Sequence, residues 1–276
     1  METVQVLTSS DGAVKRLHKL DDGNYVESVI LPHTTKVNLC ISTQVGCKMR
    51  CAFCQSGKSY TRNLTTDEIL GQIDEQVDSL VFMGMGEPLD NFDAVAQALA
   101  VLTDRHGLGY AHDRLTICTL GPPVGLRRLP TLGYRRLNIN LSLHAADQTL
   151  RARLLPGTAR HPLADVRDAF GACRQRDNQE LGIHWCLLPG LNDRPDDVAA
   201  LAEFCQGLGR VMIHLIPFNP GTLPITRAPA EPEIERFVGW LRAAGLPVRR
   251  RITKGRSVMA ACGQLASAAI APHRTS

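Results

Sequence analysis

Residues 39–54, LCISTQVGCKMRCAFC, contain four of the nine cysteines of this 276-residue chain. Cys47, Cys51 and Cys54 form a C-x3-C-x2-C pattern, and thiolates at this spacing can converge on one metal centre from a single loop. A structural zinc normally takes four protein ligands, and an iron–sulfur cubane usually has four cysteines. Three cysteines therefore leave one iron of a cubane open to a substrate or cofactor. The alternatives are a zinc site completed by Cys40 or a distant histidine, and buried structural cysteines.

An alternation of short apolar strands with helical patterns surrounds this loop. The predicted strands are Val37–Ser42, Ser79–Met83, Arg114–Ile117, Leu137–Leu143, Gly182–Leu188 and Val211–Ile216. The predicted helices are 65–77, Ala94–Asp104, Ala164–Arg176, Asp196–Gln206 and Glu231–Ala244. This alternation is typical of an α/β protein with a parallel sheet. Six units are too few for a closed eight-fold barrel, so the sequence predicts a partial (β/α)6 TIM-like barrel.

The first thirty residues follow a different pattern. Three β-rich runs, Thr3–Thr8, Ala13–Leu20 and Asn24–Leu31, are separated by turns that contain Asp-Gly, which is a hairpin signal. The chain is therefore divided into an N-terminal β-meander, residues 1–34, and a core with its C-terminal segment, residues 35–276.

Composition limits the class of protein. With 44% hydrophobic and 21% charged residues, the chain is neither disordered, collagen-like nor a coiled coil. No apolar stretch approaches the roughly 18 residues of a membrane helix, and the N-terminus, with Glu2, lacks the basic region of a signal peptide. We therefore expect a cytoplasmic protein without membrane association. The odd cysteine count argues against a disulfide scaffold, and the net charge of +4 is compatible with a polyanionic partner.

Polar and glycine-rich loops follow the predicted strands. In βα barrels the loops at the carboxyl ends of the strands build the active site. Gly86 and Glu87 follow the second strand, and Glu87 supplies a carboxylate suited to an ammonium group. Ser142 and His144 are two residues apart and should face the same way, and Asn219 follows the sixth strand.

The cysteine loop and its barrel resemble the radical S-adenosylmethionine (SAM) superfamily, and the rest of the chain resembles the RlmN/Cfr family of radical-SAM RNA adenine methyltransferases. The matching stretches are VESVILP (26–32), LCISTQVGCKMRCAFC (39–54), VFMGMGEPLDN (81–91), SLHA (142–145), IHLIPFNP (213–220) and AACGQL (260–265). The resemblance implies a radical SAM barrel, a 4Fe–4S cluster and SAM. It makes Cys47, Cys51 and Cys54 the cluster ligands.

The resemblance also implies a SAM site. Its residues would be Gly86, Glu87, Cys118, Ser142, Leu143, His144 and Asn219. Cys118 is a departure, because the family typically has serine there and a thiol is a weaker donor. The contact is expected to stay at Cys118 in weakened form or to pass to Thr119.

The same resemblance implies three catalytic residues. Cys262 would carry the methyl group, Cys40 would resolve the intermediate through a disulfide, and Glu27 would be the general base. Taken alone, both cysteines would be small buried residues, and Glu27 would be an exposed strand residue. The implied product is an adenine methylated at a ring carbon, C2 in preference to C8.

RNA is the implied substrate, either ribosomal or transfer RNA. Basic residues that could contact phosphates are Arg249, Arg250, Arg251, Lys254, Arg256, Lys48, Arg50, Lys58 and Arg62. The alternative is a solvated basic surface. The family's N-terminal accessory domain has no counterpart before Cys40. We further expect an electron donor such as flavodoxin and a monomer. The alternative functions are a radical-SAM enzyme with a non-RNA substrate and a zinc-stabilised RNA-binding module.

Overall fold

One ten-stranded sheet organises the chain in a computed structural model, which describes residues 1–222 and 224–266. The strands are β1 Glu2–Thr8, β2 Val14–Lys19, β3 Tyr25–Pro32, β4 Val37–Ile41, β5 Gln44–Gly46, β6 Tyr60–Asn63, β7 Ser79–Phe82, β8 Leu115–Thr119, β9 Asn138–Ser142, β10 Leu181–Leu187, β11 Val211–Pro217 and β12 Val248–Arg250. The helices are α1 Thr66–Leu70, α2 Phe92–Thr103, α3 Pro123–Arg128, α4 Gln148–Leu154, α5 Leu163–Gly171, α6 Pro195–Cys205 and α7 Glu231–Ala243.

The parallel part of the sheet confirms the predicted partial barrel. Strands β4, β7, β8, β9, β10, β11 and β12 follow one another in this order, and each pair of neighbours is parallel. The six predicted strands are β4 and β7 to β11. A seventh, β12, was not predicted because its sequence, VRR, has no apolar run. All seven residues of β10 are buried, as expected for a central parallel strand.

The three N-terminal strands form the predicted meander and continue the sheet. Strands β1, β2, β3 and β4 pair antiparallel in sequence order. Gly12 and Gly23 have φ of 82° in the two Asp-Gly turns, where a left-handed backbone favours glycine. The predicted boundary after residue 34 lies in the turn between β3 and β4. The second predicted unit also includes residues 267–276, which lie outside the described residues.

The helices differ from the predictions mainly in length. The predicted capping box is present, with the Thr65 hydroxyl accepting from the Glu68 backbone N–H, but α1 ends at Leu70 rather than Val77. Gly71 closes it, and the following Gln72 side chain is buried in hydrogen bonds to Ser42. Helix α5 likewise ends at Gly171 rather than at residue 176.

Two short helices and a hairpin were missed. Helices α3 and α4 have six and seven residues, and the hairpin of β5 and β6 has strands of three and four. Elements this short span too few turns or alternations for periodicity to identify them. Among the helices in the described part of the chain, none has both the length and the apolar character needed to cross a bilayer.

Candidate active site

A cavity of about 380 Å³ opens at the carboxyl ends of the parallel strands. Eleven predicted site residues line it: Cys40, Cys47, Cys51, Cys54, Gly86, Glu87, Cys118, Ser142, His144, Asn219 and Cys262. Two do not, because Glu27 lies beside the cavity on β3 and the Leu143 side chain packs in the hydrophobic core. The strand-end loops and a C-terminal loop, residues 251–266, form the opposite walls.

The three cysteines lie on one loop, residues 47–54, called here the cluster loop. It leaves β5 at Gly46, whose φ is 76° and where an added Cβ would lie 2.1 Å from the Ser59 carbonyl oxygen. Glycine is therefore required at this bend. The Cys47 backbone N–H donates to the same Ser59 oxygen at 2.7 Å, so the β5–β6 hairpin holds the start of the loop.

The donor set fits a cluster. Burial raises the pKa of the Cys47 thiol to about 12, and the nearby Cys54 thiol contributes to the rise. Burial also raises the pKa of Cys51, with further contributions from Cys54 and Cys47, and all three cysteines line the same cavity. Within residues 1–222 and 224–266, no three His, Cys, Asp or Glu side chains are grouped as ligands of a single metal ion. Three spaced thiols in one cavity suit a cubane, whose ligands bind separate irons.

Glu87 presents a buried carboxylate to the cavity. Its Oε1 accepts hydrogen bonds from the Thr119 hydroxyl at 2.6 Å and the Leu89 N–H at 3.0 Å, and Oε2 accepts from the Leu120 N–H at 2.7 Å. Burial raises the pKa of this carboxyl to about 7, against these hydrogen bonds. Gly86 has φ of 105° and packs closely against Gln44. A Cβ atom added at Gly86 would lie 2.7 Å from Gln44, so there is no room for a side chain.

The departure at residue 118 keeps its thiol at the site. Cys118 lines the cavity, and its sulfur accepts from Asn140 Nδ2 at 3.7 Å. The Thr119 side chain is buried and donates to Glu87 instead, and it does not line the cavity. This arrangement favours Cys118 over Thr119 as the residue that faces a bound ligand.

Ser142 and His144 both line the cavity, but strand alternation is not the reason. Strand β9 ends at Ser142, and His144 lies beyond it with φ of 59°. Its Nδ1 accepts from the Cys186 N–H at 2.9 Å, and its ring packs edge-on against Phe53 at 5.0 Å. Burial lowers the pKa of His144 to about 3, so the ring is neutral and its Nε2 carries the proton.

The C-terminal loop is held by the meander. Asp11 Oδ2 accepts from the Gly255 N–H at 2.8 Å, and the Ser9 and Ser257 hydroxyls are 2.8 Å apart. Asn219 holds the loop from the barrel side, because its Nδ2 donates to the Cys262 carbonyl at 3.5 Å. These contacts place Cys262 over the strand ends.

Cys40 and Cys262 line the same cavity, Cys40 from the strand ends and Cys262 from the C-terminal loop. Cys40 is buried on β4, whereas the Cys262 side chain is exposed within the cavity mouth. Burial raises the pKa of Cys40, and the charge of the Cys262 thiol adds to the rise. The walls around Cys262 displace water and raise its pKa to about 11, with a contribution from Cys54. Cys186, not singled out from the sequence, lies behind them on β10.

Glu27 is buried, so the expectation of an exposed strand residue from the sequence alone was wrong. Its side chain is 1% exposed, and its Oε1 lies 3.0 Å from Nζ of Lys15, which is 2% exposed. Its Oε2 accepts from the Ala266 N–H at 2.9 Å. Burial raises the pKa of Glu27, and the Lys15 charge opposes the rise. The pair was missed because Lys15 reaches Glu27 only through the pairing of β2 with β3.

The basic residues divide into two groups. Arg249, Arg251 and Lys254 line the cavity, as does Arg250, which also pairs with Glu231. They adjoin Ile252, whose side chain is 82% exposed. This stretch is the candidate surface for a polyanion.

Other basic residues have structural partners. Arg62 pairs at 2.7 Å with both Asp22 and Glu68, so it joins the meander to α1 rather than facing the cavity. Lys48 lies 3.2 Å from Asp90. Arg62 and Lys48 are therefore better described as surface residues in ion pairs than as phosphate contacts.

The fold and the three-thiol loop define a radical SAM protein. The sequence profile of the radical SAM superfamily matches residues 41–205. A crystal structure of a radical SAM methyltransferase from Sphaerobacter thermophilus superposes with a TM-score of 0.92 at 30% identity, covering 97% of this chain and 81% of that one.

Two curated relatives identify the family within the radical SAM superfamily. A probable dual-specificity RNA methyltransferase RlmN 1 from Protochlamydia amoebophila is 40% identical over 260 residues, which are 91% of this chain and 72% of the relative. The dual-specificity RNA methyltransferase RlmN of Geobacter sulfurreducens is 40% identical over 265 residues, 93% and 72% of the two chains. The chain belongs to the RlmN family of radical SAM methyltransferases, whose cofactors are a 4Fe–4S cluster and SAM. The zinc-stabilised binding module considered from the sequence is therefore wrong.

Proposed function

We propose that this enzyme methylates a ring carbon of adenine in RNA, C2 in preference to C8, by way of a methyl group carried on Cys262. The observation that carries the proposal is that Cys40 and Cys262 line the same cavity as Cys47, Cys51 and Cys54. Both RlmN relatives described above are named RNA methyltransferases, which supports RNA as the substrate.

The residues have separate tasks in this proposal. Cys47, Cys51 and Cys54 would hold the cluster, and SAM would contact Gly86, Glu87, Cys118, Ser142, His144 and Asn219 together with the backbone of Leu143. When bound, these cofactors supply the methyl group and a radical that takes a hydrogen atom from it. Glu87 suits the ammonium group of SAM because its carboxylate is fixed by three hydrogen bonds.

The chain's own thiols complete the reaction. The Cys262 sulfur accepts the methyl group and delivers its carbon to the electron-poor ring, which cannot attack SAM as a nucleophile. The carbon adds to the ring as a radical, and the adduct then gives up one electron, which would return to the cluster. Glu27 takes the ring proton, and the Cys40 thiolate attacks the Cys262 sulfur. The bond from that sulfur to the methylene carbon breaks, and this carbon takes up a proton to become the methyl group. The new disulfide releases the methylated base. A reductant, such as a flavodoxin-type electron donor, must restore the two thiols before the next turnover.

Glu27 needs a local rearrangement for this role. Val29, two residues along the same face of β3, lines the cavity, so Glu27 is one step outside it. Both of its oxygens are engaged, by Lys15 and by the Ala266 N–H. Opening the Ala266 contact frees one oxygen while Lys15 keeps the carboxylate charged.

Nucleoside mass spectrometry tests the proposal. RNA from a strain that lacks the gene is incubated with the reconstituted enzyme, SAM and a reductant, then digested to nucleosides. Methyladenosine substituted at C2 is expected with the wild-type protein and is absent with Cys262→Ala. A C8 product would correct the position. SAM cleavage without any methylated nucleoside in total RNA would contradict RNA as the substrate and favour the non-RNA alternative.

A further inference from the structure

Arg151, on α4, is a buried cation without an anionic partner in the described structure. Its side chain is 1% exposed, and Nη2 donates to the Leu120 carbonyl at 2.6 Å. Its Nε and Nη1 are buried and have no hydrogen-bond partner among residues 1–222 and 224–266. An unpaired buried charge costs several kcal/mol, so a protein that retains one is expected to hold an anion against it.

Arg151 lies behind the wall that carries Cys51 and Glu87. The carbonyl of Leu154, on the same helix, accepts from the Ala52 N–H in the cluster loop at 2.9 Å. Leu120 links the other side, because its carbonyl binds Arg151 and its N–H donates to Glu87 at 2.7 Å. Burial raises the pKa of the Cys51 thiol and the Arg151 charge partly opposes this rise, while burial lowers the pKa of Arg151 itself to about 10.

Glu87 does not neutralise Arg151 directly. Its oxygens already accept three hydrogen bonds, and no ion pair joins it to Arg151 in the described part of the chain. Arg151 does not line the cavity, so its guanidinium faces the protein side of the cluster loop rather than the open space. The remaining source of negative charge is the thiolate-bound cluster on its Cys51 side.

We propose that Arg151 is a positioning residue that balances the negative charge of the cluster at Cys51 and thereby raises the cluster's reduction potential. Reduction adds one negative charge, and a buried cation nearby stabilises the reduced state more than the oxidised one. The inference rests on the proposed ligand set Cys47, Cys51 and Cys54, and it is independent of the substrate.

The test measures the midpoint potential of the reconstituted full-length enzyme in the absence of SAM, with redox titration followed by electron paramagnetic resonance. Arg151→Met removes the charge at similar length, and Arg151→Lys retains it. Arg153→Met makes the same change at an exposed position of the same helix. Arg151→Met should lower the equilibrium constant for reduction at least about tenfold, which is about 59 mV for one electron. Arg151→Lys and Arg153→Met should remain near the wild-type potential.

Iron content distinguishes a wrong ligand set from a wrong role for Arg151. If Cys51→Ala keeps its full iron, the ligand set is wrong, whatever the behaviour of Arg151. If Arg151→Met loads poorly, Arg151→Gln provides a neutral polar replacement, and a wild-type potential in either loaded variant overturns the proposal. An unchanged potential with weakened SAM binding would assign Arg151 to the carboxylate of SAM and would also overturn it. Loss of iron in both neutral variants with a normal potential in Arg151→Lys supports the charge requirement.

Discussion

The cluster loop and the C-terminal loop both carry cysteines to the same cavity, but different kinds of contact hold them there. The cluster loop starts from the β5–β6 hairpin, where the Cys47 N–H donates to Ser59, and its middle is held to α4 by the bond from the Ala52 N–H to Leu154. The C-terminal loop is fixed by the meander, through Asp11 to Gly255 and Glu27 to Ala266, which lie 244 and 239 residues apart. The start of the cluster loop is thus set by a local hairpin, whereas Cys262, the proposed methyl carrier, is held by contacts with residues distant in sequence.

The largest expected effect lies in the cluster loop. Replacing Cys47, Cys51 or Cys54 by Ala should abolish the cluster and all SAM cleavage, because each thiolate binds a separate iron and no spare ligand is available. Iron analysis and 5′-deoxyadenosine formation measure the two losses. Cys173→Ala is the matched control, because this cysteine is buried in the core away from the cavity, and it should keep its iron. Full iron and normal cleavage in any of the three variants would contradict the ligand assignment.

The next test distinguishes the proposed roles of Cys262 and Cys40. Cys262→Ala should keep its cluster and bind SAM but yield no modified RNA. Cys40→Ala should still pass the methyl carbon to RNA, but it has lost the nucleophile that releases the product. A covalent protein–RNA adduct is therefore expected with Cys40→Ala, visible as a slow, nuclease-sensitive band on a denaturing gel.

The double variant Cys40→Ala/Cys262→Ala is the control, and it should give no such band. Multiple turnover by Cys40→Ala at the wild-type rate would mean that the disulfide mechanism does not operate in this enzyme.

A smaller effect concerns the pH dependence of SAM binding. The pKa of Glu87 is raised to about 7 by burial, so below this pH the carboxyl takes up a proton and loses its attraction for the SAM ammonium. SAM affinity should fall by up to about tenfold per pH unit below about pH 7 and level off above it. Calorimetric titration of the cluster-loaded enzyme between pH 5.5 and 8.5 measures this. Glu87→Gln should bind more weakly with no such slope, and an unchanged slope in that variant would assign the titration to another group.

The smallest effect is expected where the meander holds the C-terminal loop. Asp11→Ala removes the acceptor of the Gly255 N–H, a charge-assisted bond worth roughly 1.5–3 kcal/mol when fully made. Because Asp11 is exposed, we expect methylation to slow only about threefold to tenfold, with iron content and SAM cleavage unchanged. Asp21→Ala, in the other turn of the meander, should be neutral. A parallel loss of iron in Asp11→Ala would show that the two loops are not independent.

The sequence predicted the cluster loop more fully than the rest of the site. The spacing of Cys47, Cys51 and Cys54 is contained in eight residues, so it survives any error in the predicted elements. The burial of Glu27 was not predictable, because strand alternation does not reveal that a loop from residue 259 onward covers this end of β3. Resemblance alone had singled out Glu27, and its partner Lys15 has no motif of its own.

Arg151 was missed for a related reason. An arginine in the pattern Gln148–Leu154 reads as an exposed charge on a short helix, and only the packing of α4 against the cluster loop buries it. The barrel strands were predicted because each contains several apolar residues within a short segment, whereas β12 consists of one valine and two arginines. Burial imposed by distant segments explains the misses at Glu27 and Arg151, whereas β12 was missed for its composition.

The contacts between the meander and the C-terminal loop also have a consequence for the order in which the site assembles. During synthesis, residues 1–63 leave the ribosome early, and they contain both the meander and the cluster loop with its hairpin. Ser257, the partner of Ser9 across 248 residues, emerges only after every barrel strand. Cys262, the proposed methyl carrier, is thus the last element to join the site. Nascent chains that have not yet exposed this segment possess the proposed cofactor ligands but cannot carry a methyl group.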